Sequence, residues 1–289
     1  MFSANLPDFD ALWDYDNPDQ TETKFRAILL QFPEEDPAFL ELLTQIARSQ
    51  GLQRKFDHAH QTLDQVKRRM EKLPSRPGIR YLLERGRVFN SSGTPELARP
   101  FFEQAMAMAK QLNEDFYAVD ALHMLAIVAS PEQGLALNLQ AIQLAESSRQ
   151  ERARGWLGSL YNNTGWSYHD MGDYLSALEI FRKAEGWRRS RGQARESRIA
   201  AWSVARVLRS LGRMEDALAR QMVLKAEYDS AGESSGYVLE EIGECLLALD
   251  RQQEAAPYFR SAYECLSGDS WLAQQETERL RRLHELGGI

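Results

Sequence analysis

Residues 165–184 read GWSYHDMGDYLSALEIFRKA, with Gly165, Tyr168, Ala177, Phe181 and Ala184 separated by 3, 9, 4 and 3 positions. The same spacings and residue types recur in Gly86, Phe89, Ala98, Phe102 and Ala105, and again in Gly243, Leu246, Ala255, Phe259 and Ala262. Fixed-period self-similarity of this kind is the signature of stacked supersecondary units. Weaker copies fill the gaps: Ala205, Leu208, Ala217, Gln221 and Leu224; Leu122, Leu125, Gly134, Asn138 and Ala141; and Thr44, Ala47, Phe56, His60 and Leu63.

Each copy has the logic of a helical hairpin. A small residue on the first helix lets the second approach closely, and the aromatic residue or leucine one turn later fills the groove beside it. Glycine in Met-Gly-Asp (171–173), Leu-Gly-Arg (211–213) and Ser-Ser-Gly-Thr (91–94) supplies the left-handed conformation that ends a helix. Pro95 and Pro131 stand at helix starts, where a missing N–H costs nothing. Six units are predicted, starting near residues 37, 79, 115, 158, 198 and 236. The offsets of 36 to 43 residues imply helices lengthened by about a turn.

This pattern resembles the tetratricopeptide repeat (TPR) family, in a bacterial-type form with long repeats, over residues 37–268. The resemblance implies an all-α fold, a right-handed superhelix (α-solenoid) of antiparallel hairpins whose first helices line a concave groove. Residues 1–36 are then an acidic N-terminal arm with a capping helix from Thr21 to Gln31. Residues 269–289 form a capping helix, read as one amphipathic element with Trp271, Leu272, Leu280, Leu283 and Leu286 among charges. One continuous domain is expected.

Composition narrows the function. The apolar content of 43% and charged content of 27% are those of a folded globular chain. The first ten residues hold no basic or apolar leader, and no run of eighteen apolar residues occurs, so a cytoplasmic location away from membranes is expected. The two cysteines, Cys245 and Cys265, read as packed thiols. Residues 1–36 hold nine acids against Lys24 and Arg26, a net charge of -7, whereas the rest is balanced at 33 acids and 33 bases. Nucleic acid is not an expected partner for such a chain.

No metal or cofactor pattern is present. His58 and His60 point apart on a predicted helix, and the His169–Asp170 pair reads as a solvated helix end. The chain is therefore not expected to be an enzyme.

The family geometry implies which first-helix residues face the groove. Those singled out for peptide binding are Arg48, Arg87, Asn90, His123, Asn162, Trp166, Trp202, Arg206 and Arg209. Four guanidinium groups, two amides and two indoles suit an acidic, partly apolar peptide. The competing arrangement has these arginines paired with glutamates of neighbouring helices. No lysine lies on this face, so the family's lysine–asparagine clamp for a terminal carboxylate is not reproduced.

The expected function is a non-catalytic interaction scaffold for a protein or peptide. The alternatives are a peptide-sensing regulator acting through a protein partner and an enzyme with a site between helices. The acidic arm, with Phe9, Trp13 and Tyr15, has three possible placements: back on its own groove, into a second copy to make a homodimer, or on an outside partner.

Overall fold

The computed structural model describes residues 8–70 and 74–289, and among them every regular element is helical. The chain divides into two compact units, Met1–Leu160 and Tyr161–Ile289. Each unit is built from hairpins around its own core.

Unit 1 opens with a 3-10 turn, Phe9–Leu12, followed by α1 (Pro18–Leu29). Three hairpins follow: α2 (Pro37–Leu52) with α3 (Phe56–Arg69), α4 (Arg76–Ser91) with α5 (Pro95–Gln111), and α6 (Asp115–Ile127) with α7 (Pro131–Ser147). The first helices α2, α4 and α6 also pack in succession, which makes one face of the unit from them. A four-residue helix, α8 (Glu151–Arg154), closes the unit. The long offset between the third and fourth repeats is taken up by this extra element and not by longer helices.

The unit boundary falls inside α9 (Leu157–Asp170). Unit 2 continues with α10 (Tyr174–Ser190), the hairpin α11 (Ala194–Ser210) with α12 (Met214–Ser230), and α13 (Gly236–Ala248) with α14 (Gln252–Leu266). Its last elements are α15 (Ser270–Gln275) and α16 (Thr277–Leu286). First helices thus begin at residues 37, 76, 115, 157, 194 and 236, up to four residues ahead of the repeat frame.

The capping helix expected over 269–286 is broken at Glu276, whose φ and ψ are -124° and 41°. Leu272 and Leu280 would lie about 80° apart around a straight helix. The break lets Leu272, Leu280 and Leu283 all enter the core. Trp271 stays exposed.

The glycines of the three strong repeats are required by sterics. A Cβ on Gly165 would sit 2.6 Å from the ring of Phe181, one on Gly243 2.8 Å from Phe259, and one on Gly86 would overlap Phe102. These three phenylalanines are among the largest fully buried side chains. In the third hairpin the close approach is inverted: Gly134, on the second helix, lies against the backbone oxygen of Ala126 on the first.

Candidate interaction face

In unit 1 the acidic arm lies on the face made by the first helices. Phe9 is fully buried and meets Phe32 edge-on, with ring centroids 6.1 Å apart. Asp10 accepts two hydrogen bonds from Arg80 of α4, at 3.1 and 2.7 Å, and a further one from Arg152 of α8. Trp13 donates its indole N–H to Gln45 of α2 at 2.9 Å and stacks on Tyr15 at 4.9 Å, while Arg48 of α2 lies over both rings. Of the three placements considered for the arm, the structure shows the first.

The Asp10 clasp surrounds a buried charge. Arg80 has a side-chain exposure of 6% and lies 3.1 Å from Glu41 of α2. Tyr117 of α6 lies 5.1 Å below the guanidinium, and burial pushes its phenol up to about 12. Burial works against the charge of Asp10, yet Arg80 and Arg152 hold its carboxyl below the usual carboxylate range. Glu41 goes the other way. Its burial outweighs the attraction of Arg80 and raises its pKa.

The nine residues singled out from the sequence fall into two sets. Arg48, Arg87, Asn90 and His123 belong to unit 1, and Asn162, Trp166, Trp202, Arg206 and Arg209 to unit 2. The four arginines do not stand as open cations. Arg48 contacts Glu84 at 3.4 Å, and Arg87 holds both Glu84 and Asp120. Arg209 grips Glu241 through two hydrogen bonds of 2.8 and 2.9 Å, and Arg206 lies 3.2 Å from the same carboxylate. The competing arrangement, arginine paired with an acid on the next first helix, is the one present. Each acid stands two residues before the repeat position held by Gly86, Leu122 or Gly243, so the pairs recur as a ladder. His123 is held below its ordinary pKa, by burial first, and Asn90 is half-buried.

Unit 2 keeps an aromatic stripe on the same kind of face. Trp166 and Trp202 have centroids 6.0 Å apart, and Trp202 and Tyr237 6.3 Å apart. The Trp202 indole N–H is donated to the carbonyl of Tyr237 at 3.1 Å. Beside the stripe, Ser210 joins Arg206 at 2.7 Å and His169 at 3.0 Å. Arg206 is held below its ordinary pKa by burial and then by the neighbouring charge of Arg209, although Glu241 lies 3.2 Å away. Burial, then Arg206, lowers His169 as well. Asn162 makes a 3.4 Å hydrogen bond to Asn163.

The last acids of the face are matched by the last helix. Glu240 of α13 accepts from Arg279 of α16, with one contact at 2.9 Å, and Glu244 accepts from Arg282. Sequence reasoning missed Arg80, Arg152, Tyr237, Arg279 and Arg282. Arg80 sits two helical turns before Arg87 on α4, and extending the period would have found it. Arg152 lies on α8, which no repeat frame anticipates.

Other chemistry is sparse. His169 and Asp170 approach to 3.6 Å, with Asp170 in solvent. Among the described residues no three His, Cys, Asp or Glu side chains are grouped to hold a metal ion, and no helix is long and apolar enough to cross a membrane. Cys245 is buried, and burial pushes its thiol up to about 12.

The tetratricopeptide repeat model matches residues 158–191. No curated protein is significantly similar to the chain. Among solved structures, RapI in its apo form aligns with a TM-score of 0.73 at 11% identity, over 94% of this chain and 81% of that one. A signal transduction ATPase with numerous domains, carrying a tetratricopeptide repeat sensor, from Pyrococcus horikoshii aligns with a TM-score of 0.73 at 12% identity, over 92% of this chain and 41% of that one. A Rap protein complexed with competence and sporulation factor aligns with a TM-score of 0.60 at 14% identity, over 96% and 77%. At these identities the likeness is one of fold, that of an all-α helical-repeat solenoid.

Proposed function

We propose that this chain, a tetratricopeptide-like repeat protein, is a non-catalytic scaffold that binds an acidic, partly apolar polypeptide on the face formed by its first helices. One observation carries the reading: in unit 1 a segment of that chemistry, residues 8–15 of the chain itself, already lies on this face. Its carboxylate meets arginines and its indole meets an amide. In unit 2 the corresponding surface is the Trp166, Trp202 and Tyr237 stripe beside Arg206. Indoles supply desolvated area there, and Arg206, which shares Glu241 with Arg209, supplies a guanidinium for an incoming carboxylate. Arg87 and Arg209 act by bracing adjacent first helices, and Arg48, Asn90, His123 and Asn162 line the face around them. The two unpaired cysteines, Cys245 and Cys265, support a cytoplasmic setting.

The test is fluorescence anisotropy with a panel of acidic, Trp- or Phe-bearing peptides on the full chain. In a Trp166→Ala, Trp202→Ala, Arg206→Glu variant, the affinity for the best peptide should fall by about tenfold or more. An Arg251→Glu control should change nothing. Peptide binding that ignores the triple change would remove this surface from the function.

A second reading is a peptide-sensing regulator that acts through a protein partner. Fold likeness to a protein carrying a tetratricopeptide repeat sensor and to a Rap protein complexed with competence and sporulation factor supports it.

A further inference from the structure

Residues 8–13 are attached to the rest of unit 1 in an unusual way. Among the described residues their backbone makes hydrogen bonds only within the segment, Ala11 to Asp8 at 3.3 Å and Trp13 to Asp10 at 3.4 Å. Everything that holds them down is a side chain. Phe9 is in an apolar socket, Asp10 lies between two guanidinium groups, and Trp13 is hydrogen-bonded to Gln45 beneath Arg48. A segment held only by an aromatic anchor, a carboxylate in an arginine fork and an indole has the attachment of a bound peptide.

The rim of this attachment is wet. Arg152 has a side-chain exposure of 44% and Asp8 of 54%, so half of the Asp10 clasp is screened by solvent. Tyr15, stacked on Trp13, is 56% exposed. Beneath the clasp, the Tyr117 hydroxyl is buried without a hydrogen-bond partner, so the pocket offers one more donor than the arm uses.

We infer that residues 8–13 are an internal ligand of unit 1, tethered where the Asp14 backbone pairs with Thr21 of α1, and that Arg80, Arg152, Gln45 and Arg48 form a receptor for a partner segment presenting an aromatic–acidic pair followed three residues later by an indole. Such a segment, with the spacing of Phe9, Asp10 and Trp13, competes with the arm, which keeps the face closed until the partner arrives. The inference rests on the reading of the first-helix face as a polypeptide surface and adds the location, the partner's chemistry and the gate.

The probe is a labelled peptide with the sequence of residues 8–16, titrated in anisotropy against the full chain and against an Asp10→Asn, Trp13→Ala full-length variant that keeps Phe9 in its socket. An arm that occupies the site most of the time lowers apparent affinity by the open fraction, so the variant should bind about tenfold more tightly or better. Adding Arg152→Glu and Arg48→Glu to the variant should abolish the gain. Equal binding by native chain and variant, or no binding by a variant that still unfolds cooperatively, overturns the inference. If the double variant does not fold, Asp10→Asn alone must show the tighter binding. Peptide binding that survives Arg152→Glu but is lost with Trp166→Ala and Trp202→Ala also overturns it, while leaving the scaffold reading intact.

Discussion

The two units fasten their chain ends with the same chemistry and opposite polarity. In unit 1 the first helices supply the cation, Arg80, and the arm supplies the acid, Asp10. In unit 2 the first helix α13 supplies the acids, Glu240 and Glu244, and α16 supplies Arg279 and Arg282. Depth separates them more than sign. Arg80 and Arg279 are each shared between two carboxylates, but Arg80 is 6% exposed, whereas Arg279 is 29% exposed and Arg282 48%. A buried ion that loses its partner is left uncompensated, while a pair at the rim is exchanged for water at little cost. The N-terminal clasp is therefore expected to be sharply cooperative, and the C-terminal one graded.

The largest contrast should come from removing one cation in each unit. Arg80→Met leaves Glu41 and Asp10 without their shared partner and should cost about 3–5 kcal/mol of unfolding free energy in urea titration. Arg279→Met should cost less, because its guanidinium is nearer the surface even though its partner Glu240 is only 12% exposed. Similar losses in both variants would break the contrast between the two clasps.

Acid titration sharpens it further. The pKa of Asp10 is lowered in the folded chain, so its contribution is complete above its unfolded pKa and is lost as pH falls through the folded value. Asp10→Asn should accordingly be less stable than the native chain at neutral pH, and the two should converge in acid. Glu41 has the opposite sign. Its pKa is raised, so its favourable term belongs to low pH and is lost as pH rises. Glu41→Gln should be stabilising at neutral pH, with a gain that fades on acidification. Parallel stability curves for both variants, followed by thermal unfolding across pH, would sink this assignment.

The smallest effect concerns the hairpin turns. Arg54 in unit 1 and Asp250 in unit 2 both adopt φ of 60°, where Gly93, Gly172 and Gly212 occupy the equivalent turns of other hairpins. Arg54→Gly and Asp250→Gly should each stabilise by up to about 1 kcal/mol in chemical denaturation, equally in the two units. A destabilised variant would show that the side chain holds its turn by contacts that outweigh the strain.

Much of the fold was legible because its determinants are local and repeated. Gly86, Gly165 and Gly243 each meet a phenylalanine sixteen residues later, and a spacing within one hairpin is visible in a string of letters. The candidate face was less legible. Arg87 and Arg209 were rightly placed on first helices, but their partners Asp120 and Glu241 come from the next hairpin, 33 and 32 residues away. Charge alone does not say whether a cation is waiting or already satisfied. The Asp10 clasp was harder still, because Arg80 lies 70 residues and Arg152 142 residues along the chain. The acidity and aromaticity of the arm were plain, and its destination depended on α8.

The close approach of glycine and phenylalanine reaches beyond the three hairpins that display it. Where the first helix carries Ala205, the ring position of the second holds Gln221, and where it carries Leu122, that position holds Asn138; both polar residues are buried. Side-chain volume added on one helix is withdrawn on the other, so the sum across the hairpin is what the stack conserves. The polar substitutions that make these repeats look degenerate are, on this view, complementary halves of a lock-and-key pair. Repeats could be exchanged within the chain only if both halves of that pair move together.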